Sequence, residues 1–294
     1  MKKLFDARLM LIISMAIFGT IGLFRRYIDI SSGELAFYRA VLATVFIGFF
    51  LLIKRSPVPF GKIKKQLPVL LISGVAMAFN WILLFEAYNY TSVSAATLSY
   101  YFAPVIVTLV CPVIFKEKMG LKQWICFIMS TVGIVLITVT GESAQGSNHL
   151  KGILLGLGAA VLYATVIILN KFIKDVDGIH RTFLQFVSAT AVLLPYVLLT
   201  SGINLGALDT KGMLLLLTVG FVHTGITYCM YFSSLKELTG QKAAILSYID
   251  PLVAVICSVV ILKEPLTPML IAGGILILGF TLWNELPGKK EKKK

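Results

Sequence analysis

Ten apolar stretches, each close to the length of a membrane-crossing helix, follow one another along the whole chain. They fall near residues 8–27, 33–53, 67–88, 92–115, 121–140, 152–171, 180–200, 211–232, 241–262 and 267–285. A helix needs roughly 20 apolar residues to cross about 30 Å of hydrocarbon. Runs such as Leu9–Phe24 are apolar on every side, whereas barrel strands alternate with a period of two. The sequence therefore predicts an all-α integral membrane protein with ten transmembrane helices.

Charged residues are few and lie between these stretches. Only 14% of the 294 residues are charged, whereas soluble domains carry about 25%. The net charge of +13 could suggest nucleic acid, but the basic residues lie in loops and in the tail Lys289–Lys294. We therefore expect a lipid bilayer and no nucleic acid as a partner, and nothing in the sequence indicates an obligate protein partner.

Cysteines and histidines give no sign of a metal site. The four cysteines lie inside predicted spans, without CxxC spacing or a nearby histidine; they are Cys111, Cys126, Cys229 and Cys257. We expect them to be small buried side chains. The sequence predicts neither a metal nor another cofactor.

The distribution of basic residues predicts the orientation. With Met1 in the cytoplasm, cytoplasmic segments hold 21 of the 27 Lys and Arg residues and outer loops hold five, while Arg39 lies inside a span. Short cytoplasmic loops of membrane proteins are enriched in Lys and Arg. We predict a multi-pass protein of the cytoplasmic membrane with both termini in the cytoplasm.

A shift of 147 residues aligns the fourth span with the ninth. The segment AATLSYYFAPVIVTLVCPVIFKEK from Ala95 then matches KAAILSYIDPLVAVICSVVILKEP from Lys242, and Lys116-Glu117 matches Lys263-Glu264. The match predicts two five-helix repeats, residues 1–145 and 146–294. Because each half has an odd number of spans, the second would enter the membrane from the opposite side. Inverted repeats of this kind can alternate between inward-open and outward-open states.

The segment Phe85–Met119, its echo around Tyr248-Ile-Asp-Pro251, and AFYRAVLA around Arg39 resemble the drug/metabolite transporter superfamily, specifically its EamA-type members. The resemblance covers essentially the whole chain. It implies a ten-helix transporter of small metabolites with a central cavity lined by helices 1, 3, 4, 6, 8 and 9. Ala103 departs from the acidic residue that members often carry before the proline, whereas Asp250 retains it in the second half.

Asp250 and His223 are two of the ionisable residues that lie within predicted spans. Asp250 is near the centre of the ninth span, where an ionised carboxylate facing lipid would cost about 2.5–3.5 kcal/mol or more. His223 shares a predicted helical stripe with Thr227 and Tyr231 on the eighth span, and a free imidazole titrates near neutral pH. Substrate or proton contact is one interpretation of both residues, and a structural hydrogen bond between helices is the other.

Further polar and aromatic residues are predicted to line the same cavity. They are Asn80, Trp81, Tyr101, Tyr163 and Tyr248, with Thr227, His223 and Asp250 completing the substrate-binding set.

Coupling or gating is the second role that the spans suggest. Arg39 lies at the depth of Glu34 and Glu86, so an ion pair with one of them is favoured over recognition of a substrate carboxylate. Pro104 and Pro251 interrupt the hydrogen-bond ladder at matched points and are expected to be hinges. Asp250 and His223 are the candidate proton carriers.

These features predict a secondary transporter that moves a small organic metabolite, such as an amino acid or amine, by alternating access. Export is the expected direction, and the proton is the candidate coupling ion. The alternatives are a membrane-embedded enzyme and a non-transporting channel or receptor. No HExxH, GxSxG or nucleotide-binding loop occurs in the sequence, which disfavours an enzyme or an ATP-driven pump.

Overall fold

The computed structural model describes residues 6–58, 60–116, 119–145, 148–174, 176–238 and 240–286, and their regular structure is entirely helical. Within these ranges, nine helical spans are long and apolar enough to cross a membrane: Ala7–Arg25, Ser32–Ile53, Lys64–Tyr90, Val93–Phe115, Leu121–Val139, His149–Phe172, Gly178–Thr200, Thr210–Leu235 and Pro268–Glu285. A shorter apolar helix, Ile245–Val260, lies where the ninth span was predicted. The prediction of an all-helical membrane protein with ten spans is confirmed, and we number the spans in chain order.

Short polar side chains fix where several spans begin. Asp6, Ser31, Ser92, Asp209 and Thr267 each accept a hydrogen bond from a backbone N–H in the first turn of the helix that follows. Such caps satisfy donors that have no partner within the helix. The boundaries therefore follow from local sequence as well as from hydropathy.

The fourth and ninth spans are each broken in two. The fourth consists of Val93–Tyr100 and Ala103–Phe115, and the ninth of Gly240–Ser247 and Ile249–Val260. Pro104 is the second residue of the second piece of the fourth span. Proline is well tolerated in a first helical turn, where its missing N–H would have no partner. The expected kinks at Pro104 and Pro251 are therefore interruptions that precede each proline.

The repeat found in the sequence recurs in the backbone. Lys116 and Lys263 both adopt left-handed conformations, with φ of 55° and 56°, at the ends of the fourth and ninth spans. Both breaks and both turns are related by the 147-residue offset. Glu117, which matches Glu264 in the sequence, lies outside the described residues, as do Ser147 and the tail Lys289–Lys294.

Glycines allow close helix packing between the fifth and tenth spans. A Cβ atom on Gly133 would lie 2.8 Å from the Gly273 carbonyl oxygen, and one on Gly273 would lie 2.5 Å from the Gly133 carbonyl oxygen. Small residues permit this approach between helices in a bilayer, where packing replaces the hydrophobic effect as the force for association. The backbones of the two helices are therefore in direct contact.

The eighth span contains a π-helical run. It begins as the α-helix Thr210–Thr218, continues as the π-helix Val219–Ile226 and ends as the α-helix Thr227–Leu235. Hydrogen bonds in a π-helix run from i to i+5, and such segments are rare. The run displaces the α-helical stripe that was predicted to place His223 and Tyr231 on one face.

Candidate functional site

A cavity of about 490 Å³ lies among the spans, within the range of about 300–1,000 Å³ that is usual for small-molecule sites. Residues from the first, third, fourth, sixth, eighth and ninth spans line it, and residues of the second, seventh and tenth spans complete it. The cavity therefore includes the helices that the resemblance implied and three more.

Seven of the candidate residues line this cavity: Arg39, Trp81, Tyr101, Pro104, Tyr163, Tyr248 and Asp250. Their elements converge because the fourth and ninth spans are broken at the cavity and the third and sixth spans pack beside them. The residues come from five different spans, so their proximity depends on the tertiary fold.

Asp250 binds Tyr101 across the cavity. The Tyr101 hydroxyl donates to Asp250 Oδ2 at 2.7 Å. Asp250 lies in the first turn of Ile249–Val260, where the helix dipole favours a carboxylate. Tyr101 lies at the matching break of the fourth span. This hydrogen bond therefore joins the two repeats at their equivalent interruptions.

Arg39 is buried and held in place from two sides. Its Nε donates to Thr224 Oγ1 at 2.8 Å, and its guanidinium carbon lies 4.3 Å from the centroid of the Trp81 ring. The residue is only 5% exposed. Contact with an aromatic face stabilises a cation that has left water. Thr224 belongs to the π-helical run, so that run orients the arginine.

The predicted ion pair of Arg39 with Glu34 or Glu86 is not formed. Glu34 accepts hydrogen bonds from the backbone N–H groups of Ser31 and Asn204, at 3.2 and 2.7 Å. Glu86 accepts from Ser32 Oγ at 2.6 Å. Each carboxylate receives its hydrogen bonds from backbone N–H or hydroxyl groups close to it. Arg39 therefore faces the cavity without a carboxylate partner from these two residues.

Four charged residues line the cavity, Arg39, Asp250, Arg181 and Glu285, and of these Arg39 and Asp250 are opposite charges that form no ion pair with each other. Arg39 and Asp250 both line it, and the ion pairs found among the described residues, Arg26–Glu264 and Lys236–Asp177, involve neither. Buried charges are normally paired. A ligand with both signs of charge can satisfy both groups at once.

Aromatic rings form much of the remaining wall. Tyr100 and Tyr163 stack with their centroids 5.2 Å apart, and Phe18 meets Tyr228 edge-on at 5.1 Å. Tyr100, Phe18 and Tyr228 were not among the residues predicted to line the cavity. Tyr100 directly precedes Tyr101 and could have been predicted from that position. Tyr228 could not, because the π-helical run changes which face of the eighth span lines the cavity.

Five candidate residues do not line the cavity: Asn80, Glu86, His223, Thr227 and Pro251. The Asn80 amide donates to the Ala159 carbonyl oxygen at 2.6 Å, between the third and sixth spans. The Thr227 hydroxyl donates to the Val222 carbonyl oxygen at 2.7 Å. These two side chains bind helix backbone, which is why they do not face the cavity.

His223 lies between the first and eighth spans. It is 2% exposed, and its Nε2 lies 2.8 Å from Thr20 Oγ1. Thr20 is the point at which the first span is interrupted, and Phe24 packs edge-on against the imidazole at 4.4 Å. This environment matches the structural interpretation of His223, a hydrogen bond between helices.

The cavity extends toward one end of the bundle. We call the end where the first span begins and the tenth span ends the terminal face, and the opposite end the far face. Lining residues at the helix ends on the terminal face are Asn170, Arg181, Leu235 and Glu285. The cavity thus reaches the terminal face.

An ion pair and several hydrogen bonds join separate segments at the far face. Arg26 Nη2 contacts Glu264 Oε1 at 2.8 Å and donates to the Thr91 carbonyl oxygen at 2.9 Å. The Val93 N–H donates to Glu264 Oε2 at 2.8 Å, and Ser258 Oγ also donates to that atom. We call these five residues the far-face cluster. The sequence signal for Glu264 was its Lys-Glu match with Lys116-Glu117, which was not interpreted as functional.

Acidic, histidine and cysteine side chains form no metal-binding group within the described ranges. All four cysteines are buried and free, as expected.

Comparison with known proteins places these features in a family. The model of the EamA-like transporter family matches residues 7–139 and 150–284. The transporter YxxF of Bacillus subtilis (strain 168), itself uncharacterized, is 31% identical over 263 residues, which are 88% of this chain and 83% of that protein. An uncharacterized transporter of Archaeoglobus fulgidus is 26% identical over 278 residues, covering 94% of this chain and 95% of that one. A crystal structure with 15% identity superposes with a TM-score of 0.65 over 94% of this chain and 95% of its own, which supports the fold alone.

Proposed function

Because the chain belongs to the EamA-like transporter family, we propose that it is a secondary transporter of a small organic metabolite, an amino acid or an amine, and that it exports this solute by alternating access. Transport by this family implies a small-molecule substrate and a bilayer. The observation that carries the finer proposal is a cavity that contains Arg39 and Asp250 without an ion pair between them and that extends to the terminal face.

The charges of the cavity support the substrate class. An ammonium group can bind Asp250, and a carboxylate can bind Arg39, whose planar guanidinium suits carboxylates. The tyrosine-rich wall suits an apolar or aromatic remainder of the solute. An amine would use Asp250 alone, whereas an amino acid would use both charged groups.

The positions of basic residues support the direction. Lys54, Lys64 and Lys174 are exposed on the terminal face, to which the cavity extends. By the enrichment of Lys and Arg on the cytoplasmic side, this face is cytoplasmic. The structure then corresponds to an inward-open state, ready to load solute for export.

The repeat supports the mechanism. The two halves, residues 1–145 and 146–294, carry matched interruptions. They can exchange between two arrangements of similar energy around one site. Asp250 is the proposed proton carrier, because a carboxylate in the cavity meets water from whichever side is open. Protonation on one side and release on the other would couple solute movement to the proton gradient.

Thermal-shift measurements on the purified protein test the substrate class. Amino acids and simple amines are expected to raise the melting temperature by a few degrees, and uncharged nucleosides are not. Asp250→Asn should reduce both effects without abolishing them, whereas Arg39→Met should reduce only the effect of amino acids. Stabilisation by nucleosides, with none by amino acids or amines, would contradict this assignment.

The rival functions predict different behaviour toward the same solutes. A membrane-embedded enzyme would convert the bound solute to a product, and a receptor would bind it without moving it. Mass spectrometry of the solute after incubation with the protein, together with flux in sealed vesicles, separates these classes from a transporter.

A further inference from the structure

The far-face cluster joins the two halves of the protein. Arg26 and Val93 belong to the first half, at the end of the first span and the start of the fourth, whereas Ser258 and Glu264 belong to the second. The Glu264 side chain is 13% exposed and the Arg26 side chain is 33% exposed. The contact is therefore partly buried and lies between halves.

Glu264 accepts three hydrogen bonds, and each donor lies on a different segment. Arg26 comes from the end of the first span, the Val93 N–H from the beginning of the fourth, and Ser258 from the ninth. The Val93 N–H is the first of its helix and has no partner inside it. Glu264 supplies that partner and also places a negative charge at the positive end of the helix.

The cluster lies where a route from the far face would have to open. Thr97 lines the cavity one helical turn inside Val93. Gly22 packs against Val93 so closely that a Cβ at Gly22 would lie 2.5 Å from Val93 Cγ1. Separation of the first and fourth spans from the segment after the ninth would break the bonds to Glu264 and connect the cavity to the far face.

We propose that Glu264 and Arg26 form a latch that keeps the far face closed while the cavity is open to the terminal face, and that this latch breaks in every transport cycle. The inference depends on the proposed alternating access. An interaction present in only one of two states shifts the equilibrium toward that state by its full free energy. Loss of the latch should therefore populate the far-open state.

The second ion pair of the described residues provides a matched control. Lys236 Nζ and Asp177 Oδ2 are also 2.8 Å apart, but both belong to the second half and lie on the terminal face. Their side chains are 60% and 37% exposed. Breaking this pair removes a similar contact without affecting the junction at the far face.

Sided labelling tests the latch in the full-length protein. Thr97→Cys is introduced as a reporter, and intact cells are treated from outside with a membrane-impermeant maleimide. Labelling of the same variants without Thr97→Cys gives the background from native cysteines. We expect Glu264→Gln and Arg26→Gln each to increase the labelling rate roughly tenfold, and Asp177→Asn to leave it unchanged.

The double variant Arg26→Gln with Glu264→Gln tests whether the two residues act through each other. It should label no more than about twofold faster than Glu264→Gln alone. Unchanged labelling in both single variants, or an equal increase with Asp177→Asn, would overturn the latch. If Glu264→Gln does not reach the membrane, Arg26→Gln, at a partly exposed residue, tests the latch by itself.

Flux of a bound solute, measured in parallel on the unsubstituted protein, separates this inference from the function on which it rests. Solute flux with unchanged labelling overturns only the latch. Absence of flux for every bound solute overturns the proposed function.

Discussion

At the scale of single residues, the positions of Asp250 and His223 differ. Both were proton-carrier candidates in the sequence, because hydropathy places each inside a span but does not show which face it occupies. The structure places Asp250 in the cavity beside Tyr101 and places His223 between packed helices beside Thr20. Only the first position lines the cavity, where the proposed proton carrier would meet water.

Asp250→Asn is therefore expected to abolish uphill solute accumulation driven by a pH gradient, while downhill exchange of a solute that still binds continues. An amide has nearly the same shape as the carboxylate but does not titrate in this range. His223→Gln is the matched control and should retain gradient-driven accumulation. Reconstituted vesicles with an imposed pH gradient measure both variants, and a loss confined to His223→Gln would reverse the assignment.

At the scale of elements, hydropathy and turn chemistry account for most helix boundaries. Local sequence indicated the broken spans only in part and did not indicate the π-helical run. The prolines indicated the broken spans, although as kinks. The π-helical run Val219–Ile226 had no such signal in the local sequence, and its glycines pack closely against the second span. A Cβ atom on Gly220 would lie 2.4 Å from Leu42 Cδ1, and one on Gly225 would lie 2.7 Å from Phe46 Cδ1. Contacts with the second span that depend on the whole fold could not be predicted from one segment.

Pro104→Ala and Pro251→Ala test the matched interruptions. Alanine supplies a backbone N–H and favours continuous helix, so each variant is expected to slow exchange between the two states more than it weakens solute binding. Pro195→Ala, at an exposed position within the seventh span, is the control. The rate of exchange between the two states and the solute affinity are measured on the same vesicles. An unchanged rate would show that the interruptions serve packing only.

Gly133→Val tests the close packing of the fifth and tenth spans. The added side chain would meet the Gly273 carbonyl oxygen, and we expect a loss of about 1–3 kcal/mol in stability, seen as a lower melting temperature in detergent. Gly279→Val is the matched control, because no atom lies within 4 Å of a Cβ at that position. Equal melting temperatures for the two variants would show that this approach does not contribute to stability.

At the scale of the whole molecule, the ten spans and the 147-residue repeat could be predicted, because length, hydropathy and internal similarity are properties of sequence. The composition of the cavity was predicted in part. Trp81, Tyr101 and Asp250 were identified by polarity within spans, whereas the partner of Arg39 was predicted incorrectly because side chains at equal depth can point in different directions. The far-face cluster required a tertiary structure, since Val93 and Arg26 lie 171 and 238 residues from Glu264 in sequence.

The orientation is a prediction at this scale. A cysteine introduced at Asn204, in the exposed loop after the seventh span, should react with an impermeant reagent outside intact cells. One at Lys64, exposed on the terminal face, should react only after the cells are permeabilised. Reaction in the reverse order would place the terminal face outside and turn the proposed export into import.

The most direct test of the central claim is solute flux through sealed vesicles that contain only this protein. Vesicles preloaded with an unlabelled amino acid or amine that stabilises the protein are placed in a trace of the same solute carrying a radioactive label. An alternating-access transporter is expected to accumulate the label transiently above its outside concentration by exchange, and protein-free vesicles are not. Label that enters no faster than into protein-free vesicles, for every solute that binds, would contradict the claim that this cavity moves its ligand across the membrane.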